Sequence, residues 1–276
     1  MCLILVAWQS HPEYSLIVAA NRDEFYTRKT RAAAWWGQAV SMLSGRDEEA
    51  GGAWLGINRR GRFSMLTNVR LPTERNPQAP SRGSLVVSAL QSEGPARQFA
   101  QHLSTRASAY NGFNLLVGDI GSSFHAPSNL VYFSNRLDDT PRPLAPGVYG
   151  LSNAFLDTPW PKVTRAVSRF ALQIASEVNP QTLLALLADR QPAAQDVLPS
   201  TGVSLEWERA LSAIQIRALG YGTRSSTVLT VRRDGLVTFL ERSFQPDEPS
   251  TYADRHYEFM VDGIAQHPGG FDLQQG

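Results

Sequence analysis

The amino-acid sequence predicts an α+β protein whose sheets are mainly antiparallel, and three observations support this class. Strand-sized apolar runs occur in blocks on either side of a helical region, instead of alternating with helices one by one. Short turn signals join successive runs, as expected for hairpins. Of the 276 residues, 42% are apolar and 18% charged, so the chain can bury the core of an ordinary globular protein.

The first half of the chain is predicted to consist mostly of strands. Two runs near the start form one hairpin around His11-Pro12, and two later runs form another whose turn contains Gly61. Between these hairpins, residues 21–49 are polar and are expected to be irregular. The predicted strands are residues 2–8, 14–20, 54–58, 62–68, 113–118, 130–134 and 148–152.

Helical periodicity marks two parts of the chain. Residues 85–102 are predicted to be helical with a break at Gly94-Pro95, because proline does not continue a helix. After Pro161, apolar residues recur every three or four positions, which predicts an amphipathic helix with proline in its first turn. Residues 182–189 are expected to form another helix. The recurring apolar residues are Val163, Val167, Phe170, Ile174 and Val178.

A last hairpin precedes the C-terminal part of the chain. Residues 227–231 and 236–240 flank Asp234-Gly235, and an Asp-Gly pair between two such runs is a strong hairpin signal. The residues after it are polar and rich in proline and glycine. No repeat or linker divides the sequence. We therefore expect one domain over residues 1–276, with 245–276 as a loosely attached tail.

Charge, apolar runs and cysteine content argue against several partners and locations. The formal net charge of +1 gives no electrostatic reason to bind nucleic acid or an anionic membrane surface. The longest apolar runs, such as residues 3–8, are too short to span a bilayer. The start of the sequence lacks the features of a secretory signal, and a single cysteine forms no internal disulfide. We expect a cytoplasmic protein.

The single cysteine, Cys2, directly follows Met1. Methionine is removed from a nascent chain when the next residue is small, which would leave a thiol and a free α-amine on one residue. Reference pKa values are about 8.5 for a thiol and about 8 for an α-amine, so the amine can take the thiol proton. It can later return that proton to a leaving amine. The alternative is a small apolar residue that begins a buried strand.

Several short segments resemble one protein family. Asn21-Arg22-Asp23-Glu24, closely downstream of Met-Cys, is the signature of the NRDE family, also called the transport-and-Golgi-organisation family. The resemblance runs from residue 1 to about residue 244. Further matching segments, in the family's order, are residues 44–47, 52–58, 66–70, 111–114, 150–154, 157–162 and 221–226.

The sequence also resembles, more distantly, the N-terminal-nucleophile (Ntn) hydrolases that cleave conjugated bile acids and penicillin V. Those enzymes begin with Met-Cys and place an Arg-Asn-x-Asp run at the end of the second strand; Asn21 and Asp23 match it, but Ala20 stands at the arginine position. The resemblance implies a four-layer αββα sandwich with two stacked, mainly antiparallel sheets. It also implies hydrolysis of, or acyl transfer from, a small non-peptide amide or thioester.

The same resemblance implies a role for each of five residues. Cys2 would attack the carbonyl carbon, and Asp23 would hold its amine and thiol. Asn68 would donate to the oxyanion, and Asn153 would orient the amine or the substrate carbonyl. Arg224 would lower the thiol pKa or bind an anionic substrate group. Each also has a structural alternative, since Asn and Asp commonly form turns and most arginines are surface charges.

We expect no catalytic role for Arg22. It lies between Asn21 and Asp23 in an extended segment, so its side chain is expected to point away from both. We interpret it as a structural residue or a gate, and not as the arginine that Ala20 replaces.

A binding function stays open beside the enzymatic one. The NRDE family has been linked to haem trafficking and to acyl-CoA or lipid handling, so the same pocket could carry such a ligand without catalysis. Cys2 or a histidine would then be a candidate axial ligand of haem. Hydrolysis through Cys2 requires no cofactor. No metal site is expected, because histidines 11, 102, 125, 256 and 267 show no metal-ligand spacing.

Overall fold

The computed structural model describes residues 2–37, 40–74, 76–121, 129–138, 140–245 and 251–264. Within these residues the strands are β1 (Cys2–Trp8), β2 (Tyr14–Phe25), β3 (Thr30–Trp36), β4 (Met42–Asp47), β5 (Leu55–Asn58), β6 (Arg62–Asn68), β7 (Phe113–Asp119), β8 (Asn129–Ser134), β9 (Arg142–Pro143), β10 (Gly147–Leu151), β11 (Arg217–Ala218), β12 (Tyr221–Arg232), β13 (Leu236–Phe244) and β14 (Tyr252–Met260). The helices are α1 (Gly83–Gln91), α2 (Ala96–Ser104), α3 (Pro161–Ser176), α4 (Pro180–Leu187) and α5 (Leu205–Leu211).

The strands form two seven-stranded antiparallel sheets. The first sheet has the order β10-β1-β2-β12-β13-β14, with β11 paired to β12. The second is a simple meander from β3 to β9, in which each strand pairs with its neighbours in the sequence. This pattern agrees with the predicted hairpins. In both glycine turns the backbone requires a positive φ, which is 80° at Gly61 and 89° at Gly235.

The two sheets are stacked, and helices cover their outer faces. β1 shows the arrangement: Ile4 and Val6 face the second sheet, whereas Leu3 and Leu5 face the helices, as the two-residue period of a strand requires. Helices α3 and α4 pack on the first sheet, and α1 and α2 on the second. The predicted αββα sandwich with two antiparallel sheets is confirmed.

The helices follow the predicted pattern, with shifted ends. The break at Gly94-Pro95 separates α1 from α2, as predicted. Pro161 is the first residue of α3, whose buried face includes Val163 and Phe170. Val178 lies beyond the end of this helix, so its place in the predicted apolar series was wrong. No helix in the described part of the chain is both long and apolar enough to cross a membrane.

Two segments expected to be irregular or loose form strands. Residues 21–49 contain the end of β2 and the whole of β3 and β4, because buried polar residues in this region pair with neighbouring strands. In the predicted tail, Tyr252–Met260 forms β14 along the whole length of β13, so this part is integrated into the first sheet. Residues 246–250 and 265–276 of that tail lie outside the described residues.

Candidate active site

Cys2 begins β1 and lines a cavity between the two sheets. It is paired with Arg22 on β2, and directly paired residues of antiparallel strands share one face of the sheet. This face packs on the second sheet, because Ile4 on the same side belongs to the core between the sheets. The cavity measures about 230 Å³, its open mouth included. Its lining consists of Cys2, Ile4, Ala20, Asn21, Arg22, Trp54, Leu55, Leu66 and Thr227.

The surroundings of the Cys2 thiol favour its protonated form. Burial raises the pKa of the thiol above its usual value, and the negative charge of Asp23 adds to this effect. The positive charge of Arg22 acts in the opposite direction. Since the thiolate is the nucleophilic form, this cysteine needs a base close to its sulfur in order to react at neutral pH.

Asn153 fixes the nitrogen of Cys2. The Cys2 nitrogen donates a hydrogen bond to Asn153 Oδ1 at 3.1 Å, and Asn153 Nδ2 donates to the carbonyl oxygen of Asn68 at 2.8 Å. Ser152 Oγ donates to the carbonyl oxygen of Cys2 at 2.9 Å. The nitrogen is a peptide nitrogen while Met1 is attached, and the same atom becomes the α-amine once Met1 is removed. Asn153 therefore holds the atom that would act as the base.

Asp23 lies on the other face of β2, beneath the helices. Its Oδ1 accepts a 2.6 Å hydrogen bond from Thr223 Oγ1, and its carbonyl oxygen accepts one from the Tyr221 hydroxyl at 2.9 Å. Only 1% of Asp23 is exposed. Burial raises the pKa of its carboxyl group, and the positive charge of Lys162 opposes this shift. Although Asp23 faces away from the cavity, its charge acts on the Cys2 thiol.

Asn21, the first residue of the four-residue signature, ties the sheet to the helical layer. Its Nδ2 donates to the carbonyl oxygens of Leu187 and Ile214 at 2.9 and 2.8 Å. Its Oδ1 accepts a hydrogen bond from Ser226 Oγ at 2.6 Å. Because these groups are buried, the side-chain amide satisfies backbone carbonyls that would otherwise lack partners. Asn21 is thus explained by structure alone.

Arg22 points away from Asn21 and Asp23, as predicted, but this direction carries it into the Cys2 cavity. Its guanidinium carbon lies 4.3 Å from the centroid of the Trp54 ring, and its Nη1 donates to Thr30 Oγ1 at 2.9 Å. The interpretation of Arg22 as a structural residue or a gate stays a prediction, and its position adds a positive charge to the lining of the cavity. Arg22 shares a sheet face with Ala20, two positions earlier, and so brings an arginine into the same cavity.

Arg224 sits at a register shift between β12 and β2 and holds a turn. Its Nη1 donates to the carbonyl oxygens of Phe25 and Arg28 at 3.0 and 2.8 Å. It is not among the residues that line the Cys2 cavity. The arginine whose charge lowers the pKa of the Cys2 thiol is Arg22.

Lys162 is a buried cation that the sequence analysis did not single out. It is 1% exposed and, among the described residues, its Nζ has no hydrogen-bond partner. Burial lowers its pKa to about 8, and the Asp23 carboxylate opposes that shift. A signal was present in the sequence: Lys162, Ala166 and Phe170 follow one another at helical spacing, which places a lysine on the apolar face of α3.

Comparison with known proteins decides the family. The sequence profile described as Transport and Golgi organisation 2 matches residues 1–246. The chain belongs to this family. The Transport and Golgi organization protein 2 homolog from Bos taurus is 38% identical over 277 residues, covering 95% of this chain and 99% of the relative. The homolog from Homo sapiens is 36% identical with the same coverage.

Two solved structures are similar to this family member. A mutant of conjugated bile acid hydrolase from Clostridium perfringens has a TM-score of 0.41 and 9% identity, covering 94% of this chain and 97% of that one. The N-acylethanolamine-hydrolyzing acid amidase ortholog from Caenorhabditis elegans has a TM-score of 0.45 and 12% identity, covering 83% and 92%.

In this Transport and Golgi organisation 2 family member, four of the five predicted site residues come together. Asn153 links the Cys2 nitrogen to the backbone carbonyl of Asn68, and Asp23 acts on the thiol through its charge, but of these four residues only Cys2 lines the cavity. Arg224 is directed to the turn after β2 instead.

Proposed function

We propose that this protein is a cysteine-dependent N-terminal-nucleophile hydrolase of a small non-peptide amide or thioester. The observation that carries the proposal is the hydrogen bond from the Cys2 nitrogen to Asn153, on a residue whose thiol borders a cavity. One residue thereby offers a nucleophile with access to a ligand and a base in a fixed position. Met1 must be removed for this chemistry, because a peptide nitrogen is not a base.

The first half of the proposed reaction forms an acyl-enzyme. The α-amine of Cys2 takes the thiol proton, and the sulfur attacks the substrate carbonyl carbon, forming an S–C bond. The carbonyl π electrons move onto oxygen. When they return, the bond to the leaving nitrogen or sulfur breaks, and the leaving group receives the proton from the ammonium. Asn153 Oδ1 accepts a hydrogen bond from the amine during all of these steps, which keeps the nitrogen close to the sulfur.

The second half regenerates the enzyme. The α-amine removes a proton from water as the water oxygen attacks the thioester carbon, and the S–C bond then breaks. The released sulfur recovers a proton from the ammonium, and the acid leaves. The net change is addition of one water to the amide or thioester bond. Asn68, whose carbonyl already anchors Asn153, is the proposed side-chain donor to the oxyanion in both halves.

The side chains that line the cavity indicate which groups a bound substrate would meet. Ile4, Leu55 and Leu66 supply apolar contacts, and Arg22 supplies one cation. The described residues that line this cavity include no histidine, so Cys2 would be the candidate axial ligand in the alternative of haem carriage.

A substrate panel with two variants tests the proposal. We expect wild-type protein to hydrolyse at least one small non-peptide amide or thioester, and Cys2→Ala to be inactive while it retains its fold by circular dichroism. Cys2→Ser keeps a nucleophile of similar size but weaker reactivity, and we expect it to trap an acyl group that intact mass detects. Hydrolysis that persists in Cys2→Ala would overturn the role of the thiol.

A further inference from the structure

Lys162 occupies a place that is electrostatically unfavourable for a lysine. It is the second residue of α3, and the start of a helix carries a partial positive charge that disfavours a cation. Its side chain is removed from water, and its Nζ has no hydrogen-bond partner among the described residues. A buried polar group without such compensation destabilises the fold. If this position contributed only to packing, an apolar side chain would make the fold more stable than a buried lysine does.

The charges around Lys162 come from several different elements. Asp23 on β2 attracts it, and the Cys2 thiolate on β1 would do the same. Arg70, after β6, repels it, but Arg70 is paired with Glu208 of α5 at 2.8 Å. Glu208 lines a small cavity together with Lys162, but its charge is paired with Arg70, so Asp23 supplies the carboxylate charge that acts on Lys162.

We propose that Lys162 is a positioning residue for the proposed reaction: its ammonium balances the Asp23 carboxylate and keeps the α-amine of Cys2 neutral. The inference rests on the proposed function. A carboxylate near the amine stabilises the ammonium form, which cannot accept a proton. A fixed cation on the same side removes this bias. Lys162 gives up no proton itself, since the proton passes from the thiol to the α-amine and then to the leaving group.

The first test needs neither activity nor removal of Met1. The chain contains two lysines, Lys29 and Lys162, so protein with isotope-labelled lysine gives two side-chain NMR signals. We expect the buried lysine to titrate at about pH 8, because burial lowers its pKa to that value. Asp23→Asn should lower it further, since the attracting charge is lost. An Nζ signal that is unchanged by Asp23→Asn would overturn the pairing.

The second test measures the loss of the thiol proton of Cys2 through the rate of alkylation. Protein that begins at Cys2, released from a tag by a protease, is treated with iodoacetamide across a pH series. The alkylation rate rises with pH as the thiol loses its proton, and this rise is called the acidic limb. Lys162→Met should shift the acidic limb to higher pH by about one unit, the usual effect of one nearby charge. At high pH the rate should equal that of the wild type. Lys162→Arg keeps the positive charge and should leave the acidic limb at its wild-type pH. Lys29→Met removes a lysine at an exposed site and is the matched control.

The outcomes separate the two proposals. A limb that stays in place in Lys162→Met, or a rate lowered equally at every pH, would overturn the electrostatic role of Lys162. Natural protein that retains Met1 would instead contradict the proposed function, whatever the lysine titration shows. If Lys162→Met does not fold, the titration of the wild-type and Asp23→Asn proteins still decides whether Lys162 responds to Asp23.

Discussion

Asn153 joins three separate parts of the sequence at one point. Its side-chain oxygen accepts from the nitrogen of Cys2, and its amide group donates to the carbonyl of Asn68. The Asn153 amide is 1% exposed, so both hydrogen bonds are made away from bulk water. An aspartate could not replace it, because an ionised carboxylate has no N–H to donate to Asn68. The residue is therefore suited to orient an amine without adding a charge.

We predict that Asn153→Ala lowers kcat/KM on any identified substrate by about 100-fold, the lower end of what a positioned general base contributes. The matched control is Ser152→Ala, which loses the hydrogen bond to the carbonyl oxygen of Cys2 and a long one of 3.5 Å to Asn153 Oδ1, but keeps the bond from the Cys2 nitrogen to Asn153. Steady-state kinetics on both variants make the comparison. Equal losses in the two would show that Asn153 acts through general packing.

At the level of elements, β2 organises the site because its polar residues 21–24 still belong to the strand. The pairing of β2 with β12 extends as far as Phe25, so residues 21–23 keep the alternation of a strand. Asn21 and Asp23 are thereby directed toward the helices, and Arg22 toward the cavity. This short stretch of sequence therefore contacts both the helical layer and the cavity between the sheets. Asn21 makes the contacts that stabilise the fold.

We predict that Asn21→Ala lowers the free energy of unfolding by about 3 kcal/mol, because two buried carbonyl oxygens and one hydroxyl lose their partner. Asn179→Ala is the matched control: Asn179 caps α4 at a half-buried position, where the same change costs about 1 kcal/mol. Urea denaturation measures both. A loss in Asn21→Ala no larger than in Asn179→Ala would contradict the structural role.

At the scale of the whole molecule, the sequence was informative where local rules decide the structure. Apolar alternation and the glycine turns at Gly61 and Gly235 predicted the hairpins correctly. β14 was missed because most of its residues are exposed and polar, so an edge strand of this kind shows no apolar alternation. Its place is set by pairing with β13, which no local pattern reports.

The candidate site shows the same division. Resemblance to known hydrolases in the order of short motifs predicted roles for Cys2, Asp23, Asn68, Asn153 and Arg224, and these roles stay predictions. The access of Arg22 to the cavity depends on how the second sheet packs over the first, and the proximity of Lys162 to Asp23 depends on where α3 lies. Both are consequences of tertiary packing and follow from no short segment.

The central claim is that Cys2 is an N-terminal nucleophile activated by its own amine. Intact mass before and after brief iodoacetamide treatment at neutral pH tests it most directly, with glutathione as the reference thiol. The raised pKa that burial gives the thiol would by itself make alkylation slower than that of glutathione. Our account predicts a chain without Met1 that gains a single adduct faster than glutathione does. Retained Met1, or a thiol slower than glutathione in the folded protein, would contradict it.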